Sequence, residues 1–184
     1  MIYAPDEDTL FLLDNVEPKG RILEMGAGSG YISIELKNKG FEVLAVDIDN
    51  EAVKKIFDQG IRAVVSGLFS DVHGKFDTII FNPPYLPGKI EDDITIFGGK
   101  NGQEVLEKFL EQVDVHLEKN GRIFMILSSF NDLNYLKDKF ENFCFKLLKE
   151  KKFAFHSIYA YLIWRCTDEL PWTTRQELEN GGIH

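Results

Sequence analysis

Apolar residues follow two alternating rhythms along this chain. Residues 20–26 (GRILEMG), 41–49 (FEVLAVDID), 61–66 (IRAVVS), 76–82 (FDTIIFN) and 122–129 (RIFMILSS) are short, nearly continuous apolar runs. Such runs predict strands buried on both faces. Between them, residues 31–40 (YISIELKNKG), 50–60 (NEAVKKIFDQG) and 103–121 (QEVLEKFLEQVDVHLEKNG) repeat apolar positions every three or four residues and predict helices. The first two stop at Gly40 and Gly60, the residue type that closes a helix in a left-handed turn. The third reads as one long amphipathic helix, and a further helix is expected near 131–141. The end of the chain departs from this rhythm. Residues 143–155 (FCFKLLKEKKFAF) and 157–166 (SIYAYLIWRC) are two strand-like runs with no helix between them, hence a hairpin.

Strands alternating with helices imply an α/β fold with a mostly parallel sheet and right-handed crossovers. The terminal hairpin adds an antiparallel strand. Internal repeats, low-complexity tracts and linkers are missing, so residues 1–184 read as a single domain. Sheets of this kind bind ligands beyond the carboxyl ends of their strands. Four unusual segments fall at those ends: EMGAGSG, DID, SGLF and NPPY.

Composition narrows the chemistry. The 184 residues are 44% hydrophobic and 28% charged, with a net charge of −9. An acidic chain is poorly suited to gripping nucleic acid unaided, because phosphate contacts need clustered Lys and Arg. The densest basic run, KLLKEKK at 146–152, includes a glutamate and reads as a solvated face. No run of 18 apolar residues exists and the start has no signal-peptide pattern, so a cytoplasmic location is expected. Cys144 and Cys166 form no CxxC pair. They are expected to be two reduced thiols in or near the core, with no zinc site. His73, His116, His156 and His184 are scattered, without metal-ligand spacing.

Gly26, Gly28 and Gly30 lie between the first strand and its helix. Glycines allow a tight turn and close approach of backbone to ligand. The spacing is GxGxG, and Tyr31 occupies the place where a dinucleotide fingerprint has its third glycine. Glu24, a carboxylate at the strand end, also speaks against a bound pyrophosphate. Asp47 ends the next strand, where a carboxylate can accept both hydroxyls of a ribose. Helix capping is better served by Asp49 or Asn50. A ribose without a pyrophosphate points to an S-adenosyl-L-methionine (SAM) site.

Residues 81–87 (FNPPYLP) place three prolines in seven residues at a strand exit. EMGAGSG, VDID and FNPPY, in this order, resemble a class I SAM-dependent methyltransferase with its Rossmann-like, seven-stranded, mostly parallel sheet. The segments MIYAPDEDTLFLLD (1–14) and FGGKNGQEVLEKFL (97–110) narrow the likeness to the HemK family of protein-glutamine methyltransferases. These modify class-1 peptide-chain release factors. The chain starts at Tyr3 and Pro5 of that pattern, without a preceding helical domain, and so resembles the compact archaeal and eukaryotic branch.

The resemblance implies cofactor contacts at Thr9, Glu24, Gly26, Gly28, Asp47, Leu68 and Asn82. Residues 1–19 would close over the cofactor site, and 97–102 would shape the substrate entrance. Asn82, Pro83, Pro84 and Tyr85 would hold the substrate, with Asn82, Pro83 and Tyr85 carrying catalysis. An amide nitrogen is a poor nucleophile because its lone pair is delocalised. The Asn82 side-chain oxygen and the Pro83 carbonyl can hold the NH2 group rotated, on a loop that proline stiffens. The Tyr85 face can sandwich a flat amide. One departure stands out. Gly67 occupies the position where relatives carry an Asp for adenine, leaving Ser66, Asp71 or backbone groups to read the base. Two other functions are compatible with the motifs: adenine N6-methylation of DNA or RNA, and a non-catalytic SAM-binding or scaffolding subunit. The compact branch also pairs with a small zinc-binding activator protein. The third strand, at the expected sheet edge with Arg62 its only charge, is the local feature that fits such a partner.

Overall fold

A computed structural model of the chain describes residues 6–90, 93, 96–99 and 102–168. Tyr3, Pro5, Lys100, Asn101 and His184 lie outside these. The elements run α1 (Glu7–Asp14), β1 (Ile22–Met25), α2 (Tyr31–Asn38), β2 (Val43–Asp47), α3 (Asn50–Asp58), β3 (Arg62–Val65), β4 (Phe76–Phe81), α4 (Glu104–Val113), β5 (Leu117–Ser128), α5 (Leu133–Lys139), β6 (Phe143–Lys152) and β7 (Ser157–Arg165). One sheet holds all seven strands in the order β3-β2-β1-β4-β5-β7-β6. Strands β1 to β5 are parallel, while β7 runs antiparallel between β5 and β6. The expected mixed sheet with its terminal hairpin is therefore present.

Alternation along the strands builds two apolar layers. Leu23, Met25, Ile79 and Phe81 face α4 and α5, where Leu106, Phe109, Leu110 and Leu136 complete the layer. Ile22 and Ile80 face the opposite side, with Leu12 of α1 and Ile32 and Leu36 of α2. The chain winds outward from β1 through β2 to β3 and then returns to β4 on the other side of β1. That reversal opens a crevice at the carboxyl ends of β1 and β4, the place where sheets of this class bind ligands.

The long helix expected over 103–121 is not continuous. It stops at Val113, passes through a single 3₁₀ turn (Asp114–His116) and becomes strand β5 at Leu117. Leu117 keeps the helical apolar spacing, but it pairs with Phe76 in the sheet. The reason lies far away in the chain. Arg165 on β7 donates to the carbonyls of Asp114, of Leu117 at 2.8 Å and of Glu118 at 3.1 Å. The guanidinium thus takes acceptors that a continuing helix would need.

The cysteines also differ from expectation. Cys144 and Cys166 are joined in a disulfide, with Cα atoms 5.1 Å apart. The hairpin register sets Phe143 opposite Arg165, which brings the start of one strand to the end of the other within bonding range. Two strands of matched length flanking one turn were the available signal. Among the described residues no helix is long and apolar enough to cross a membrane.

Candidate active site

The crevice is a cavity of about 1100 Å³, lined among others by Thr9, Glu24, Gly26, Gly28, Asp47, Leu68, Asn82 and Pro84. Eight of the residues singled out from the sequence thus share one space. Pro83 and Tyr85 lie outside its lining.

The glycine loop is shaped by backbone demands. Gly30 has φ +73°, and a Cβ there would stand 2.6 Å from Cγ1 of Ile56, so no other residue fits. Gly28 N–H donates to Oδ2 of Asp47 at 2.7 Å, and Asp49 N–H donates to Oδ1 at 2.9 Å. Asp47 is therefore fixed across the mouth of the loop, with lone pairs left for a diol. Asp49 caps α3 by accepting from Glu51 N–H, which leaves Asp47 free of that task. Ile48, between them, is half exposed and presents an apolar face to the cavity.

Glu24 shares its strand face with Ile22, and so points at α2. It is buried and accepts from Ser33 N–H at 2.9 Å and from the Ser33 hydroxyl. Burial pushes its carboxyl up to about 7, against the two Ser33 hydrogen bonds that lower it and with Asp47 adding repulsion.

The Ser66 hydroxyl donates to the Leu68 carbonyl at 2.8 Å and accepts from Asp71 N–H at 3.0 Å. It is spent on the turn, and Asp71 is exposed outside the lining. Leu68 sits at φ +56°, an uncommon conformation for a branched residue. Backbone groups of residues 66–68 are what this edge offers a base.

The NPPY loop leaves β4 at Asn82. Oδ1 of Asn82 is buried and has no hydrogen-bond partner. Such an orphan acceptor is rare unless a ligand completes it. Residues 86–88 pair with 96–99: Gly98 N–H donates to the Leu86 carbonyl and Gly88 N–H to the Gly99 carbonyl, both at 3.0 Å. Gly102 closes the weave; a Cβ there would lie 2.2 Å from the Tyr85 carbonyl. Tyr85 turns toward α1 and donates its hydroxyl to Asp8 at 2.5 Å. Burial and the Asp8 carboxylate both raise the phenol's pKa. Sequence reading missed Asp8, although it lies within the quoted PDEDT. The two partners are 77 positions apart, and only the fold joins them.

The site brings together the Asp47 carboxylate at the glycine loop and an orphan amide-type acceptor on the NPPY loop. The methyltransferase small domain model matches residues 3–157. A Methanocaldococcus jannaschii protein named as a protein N5-glutamine methyltransferase is 35% identical, covering 89% of this chain and 92% of its own. This chain belongs to the HemK-type methyltransferases. The human methyltransferase HEMK2 is 31% identical, with 71% of this chain and 73% of its own covered. Among solved structures, the Encephalitozoon cuniculi Mtq2–Trm112 complex, responsible for methylation of the eRF1 translation termination factor, superposes with a TM-score of 0.75 at 26% identity. It covers 89% of this chain and 98% of its own. The methyl donor of this HemK-type enzyme is SAM, and the cavity fits it: the lone pairs that Asp47 keeps beside the glycine loop suit a ribose diol.

Proposed function

We propose that this HemK-type enzyme methylates N5 of the glutamine in the Gly-Gly-Gln loop of a class-1 release factor. The observation that carries the reading is the buried, unpartnered Oδ1 of Asn82, a residue that lines the cavity. SAM supplies an electrophilic methyl group. Asn82 Oδ1 and the Pro83 carbonyl accept hydrogen bonds from the glutamine NH2 and hold it rotated, its lone pair aimed into the cavity. Positive charge that builds on nitrogen during transfer meets acceptors already in place, which costs little reorganisation. The methylated amide then loses its proton to solvent. No general base is required. Asp47 binds the ribose. Thr9, Glu24, Gly26, Gly28 and Leu68 complete the cofactor side, while Pro84 and Tyr85 shape the entrance. Of the N-terminal segment, the described residues 6–19 close over the cofactor.

A small zinc-binding activator protein is the proposed partner, docked along the open edge of β3 by strand addition. Support comes from the E. cuniculi complex and from the bare character of that edge. Release factors act in the cytoplasm, so that is the proposed location.

Radiolabelled SAM offered to a release factor, to its Gln→Ala variant and to duplex DNA tests the reading. Label is expected in the wild-type factor alone. Label in DNA, or in the Ala variant, would overturn it.

A further inference from the structure

The β6–β7 turn lies at the carboxyl edge of the sheet, because β7 is antiparallel to β5. Ser128 pairs with Ile158, and Ser129 N–H donates to the Ser157 carbonyl at 2.9 Å. This turn, residues 153–156, therefore stands at the same sheet edge as the NPPY loop rather than at the far end of the molecule. His156 is the centre of a stack. Its ring lies 4.9 Å from Phe153 at 11°, 5.6 Å from Phe130 at 23°, and 5.9 Å from Tyr85. The last of these belongs to the NPPY loop itself. Nε2 of His156 is buried without a hydrogen-bond partner. At the tip, Phe155 is 96% exposed, and Phe130 is 39% exposed.

A lone exposed apolar residue needs no explanation. Here exposed Phe130 stacks on His156, whose ring neighbours Tyr85 of the substrate motif, and exposed Phe155 immediately precedes His156 in the same turn. The rim is also braced. Asn131 Nδ2 donates to the Gly102 carbonyl at 2.7 Å, and Asp132 N–H to Oε1 of Gln103 at 3.0 Å. Those bonds knit the loop after β5 to Gly102 and Gln103, next to residues 96–99 that pair with the NPPY exit. Lys151 at this end is paired with Glu7 at 2.9 Å.

We infer that Phe130, Phe155 and His156 form the surface on which the release-factor polypeptide lies as its glutamine enters the cavity. This rests on the release-factor reading above. Glycines next to the glutamine expose bare peptide planes, which can lie flat on aromatic faces where a larger side chain would hold them off.

The test uses the full chain with its activator and compares wild type, Phe155→Ala and Phe155→Trp. Steady-state methylation of the release factor gives KM and kcat, and calorimetry gives SAM affinity. Since Phe155 is exposed, its truncation leaves the core intact. The Ala variant is expected to raise KM about tenfold, the loss of one contact residue of about 1.4 kcal/mol. Its kcat and SAM affinity stay within about twofold of wild type, as for other surface changes. Phe155→Trp restores KM. An unchanged KM in Phe155→Ala overturns this inference while wild-type turnover leaves the function standing. A wild-type enzyme inactive on the factor overturns both. Competition by an RNA oligonucleotide that Phe155→Ala abolishes assigns the rim to stacked bases and also overturns it.

Discussion

An acceptor buried with nothing to accept destabilises a fold by about 1–3 kcal/mol, and Asn82 bears that defect at the cavity. Asn82→Ala is therefore expected to separate stability from activity. Transfer in a single-turnover assay should fall by about 10²-fold or more, the scale for one preorganised polar contact. SAM affinity should stay within a few-fold, and the denaturation midpoint should not drop. Near wild-type turnover would remove Asn82 from the mechanism. Glu24 carries a second such tension. Between pH 4.5 and about 7 the folded protein holds a proton on Glu24 that the unfolded chain has released. The folded pKa is raised, so this contribution is fully present below pH 4.5 and is lost as pH rises through about 7. Denaturant titrations should show wild type losing up to about 3 kcal/mol across that window relative to Glu24→Gln. Parallel pH profiles would refute a raised carboxyl. Both residues were legible in the sequence because each sits at a strand end beside a local motif. Asp8 was not, because its partner Tyr85 arrives through the fold.

The two edge strands are built differently. β6 carries Lys146, Lys149, Lys151 and Lys152 and a register shift between Leu147 and Lys149, all features that discourage pairing with another chain. β3 has four residues, one charge, no bulge, and Val65 at 41% exposure. Val64 packs onto the core, so Val65 is the position to alter. Val65→Asp should abolish co-purification with the activator, while the isolated chain keeps its stability to within about 0.5 kcal/mol. Retained co-purification would exclude docking along β3. Most elements were readable from local rhythm, since short apolar runs and helical spacing record burial directly. The exception, the helix over 103–121, shows where that reading ends. Leu106, Phe109, Leu110, Val113 and Leu117 keep one spacing throughout, and it is Arg165, distant in sequence, that ends the helix before Leu117. The disulfide was hidden for a similar reason: pairing needs the hairpin's register, which spacing alone does not give.

Across the whole molecule, the Cys144–Cys166 bond closes a loop with a separation of 22 residues around the terminal hairpin. Such bonds are rare in mesophile cytosol and common in intracellular proteins of hyperthermophiles. Cys166→Ser, or reductant on the wild type, should lower the unfolding free energy by about 3 kcal/mol through the unfolded chain's added freedom. Equal midpoints with and without reductant would show that the bond adds nothing. At the other end of the stability scale stands α1. It has eight residues, no side-chain cap from Asp6, no basic residue in its last turn, and Leu12 as its one buried side chain. A helix this short does not persist by itself in water. Its tethers are Asp8 to Tyr85 and Glu7 to Lys151. In the language of hydrogen exchange, α1 is a separate unit that opens long before the stapled strands do. Its amides should take up deuterium first, and faster still in Tyr85→Phe. With α1 covering the cofactor as proposed, the pace at which a spent donor leaves is then set by the fraying of one helix.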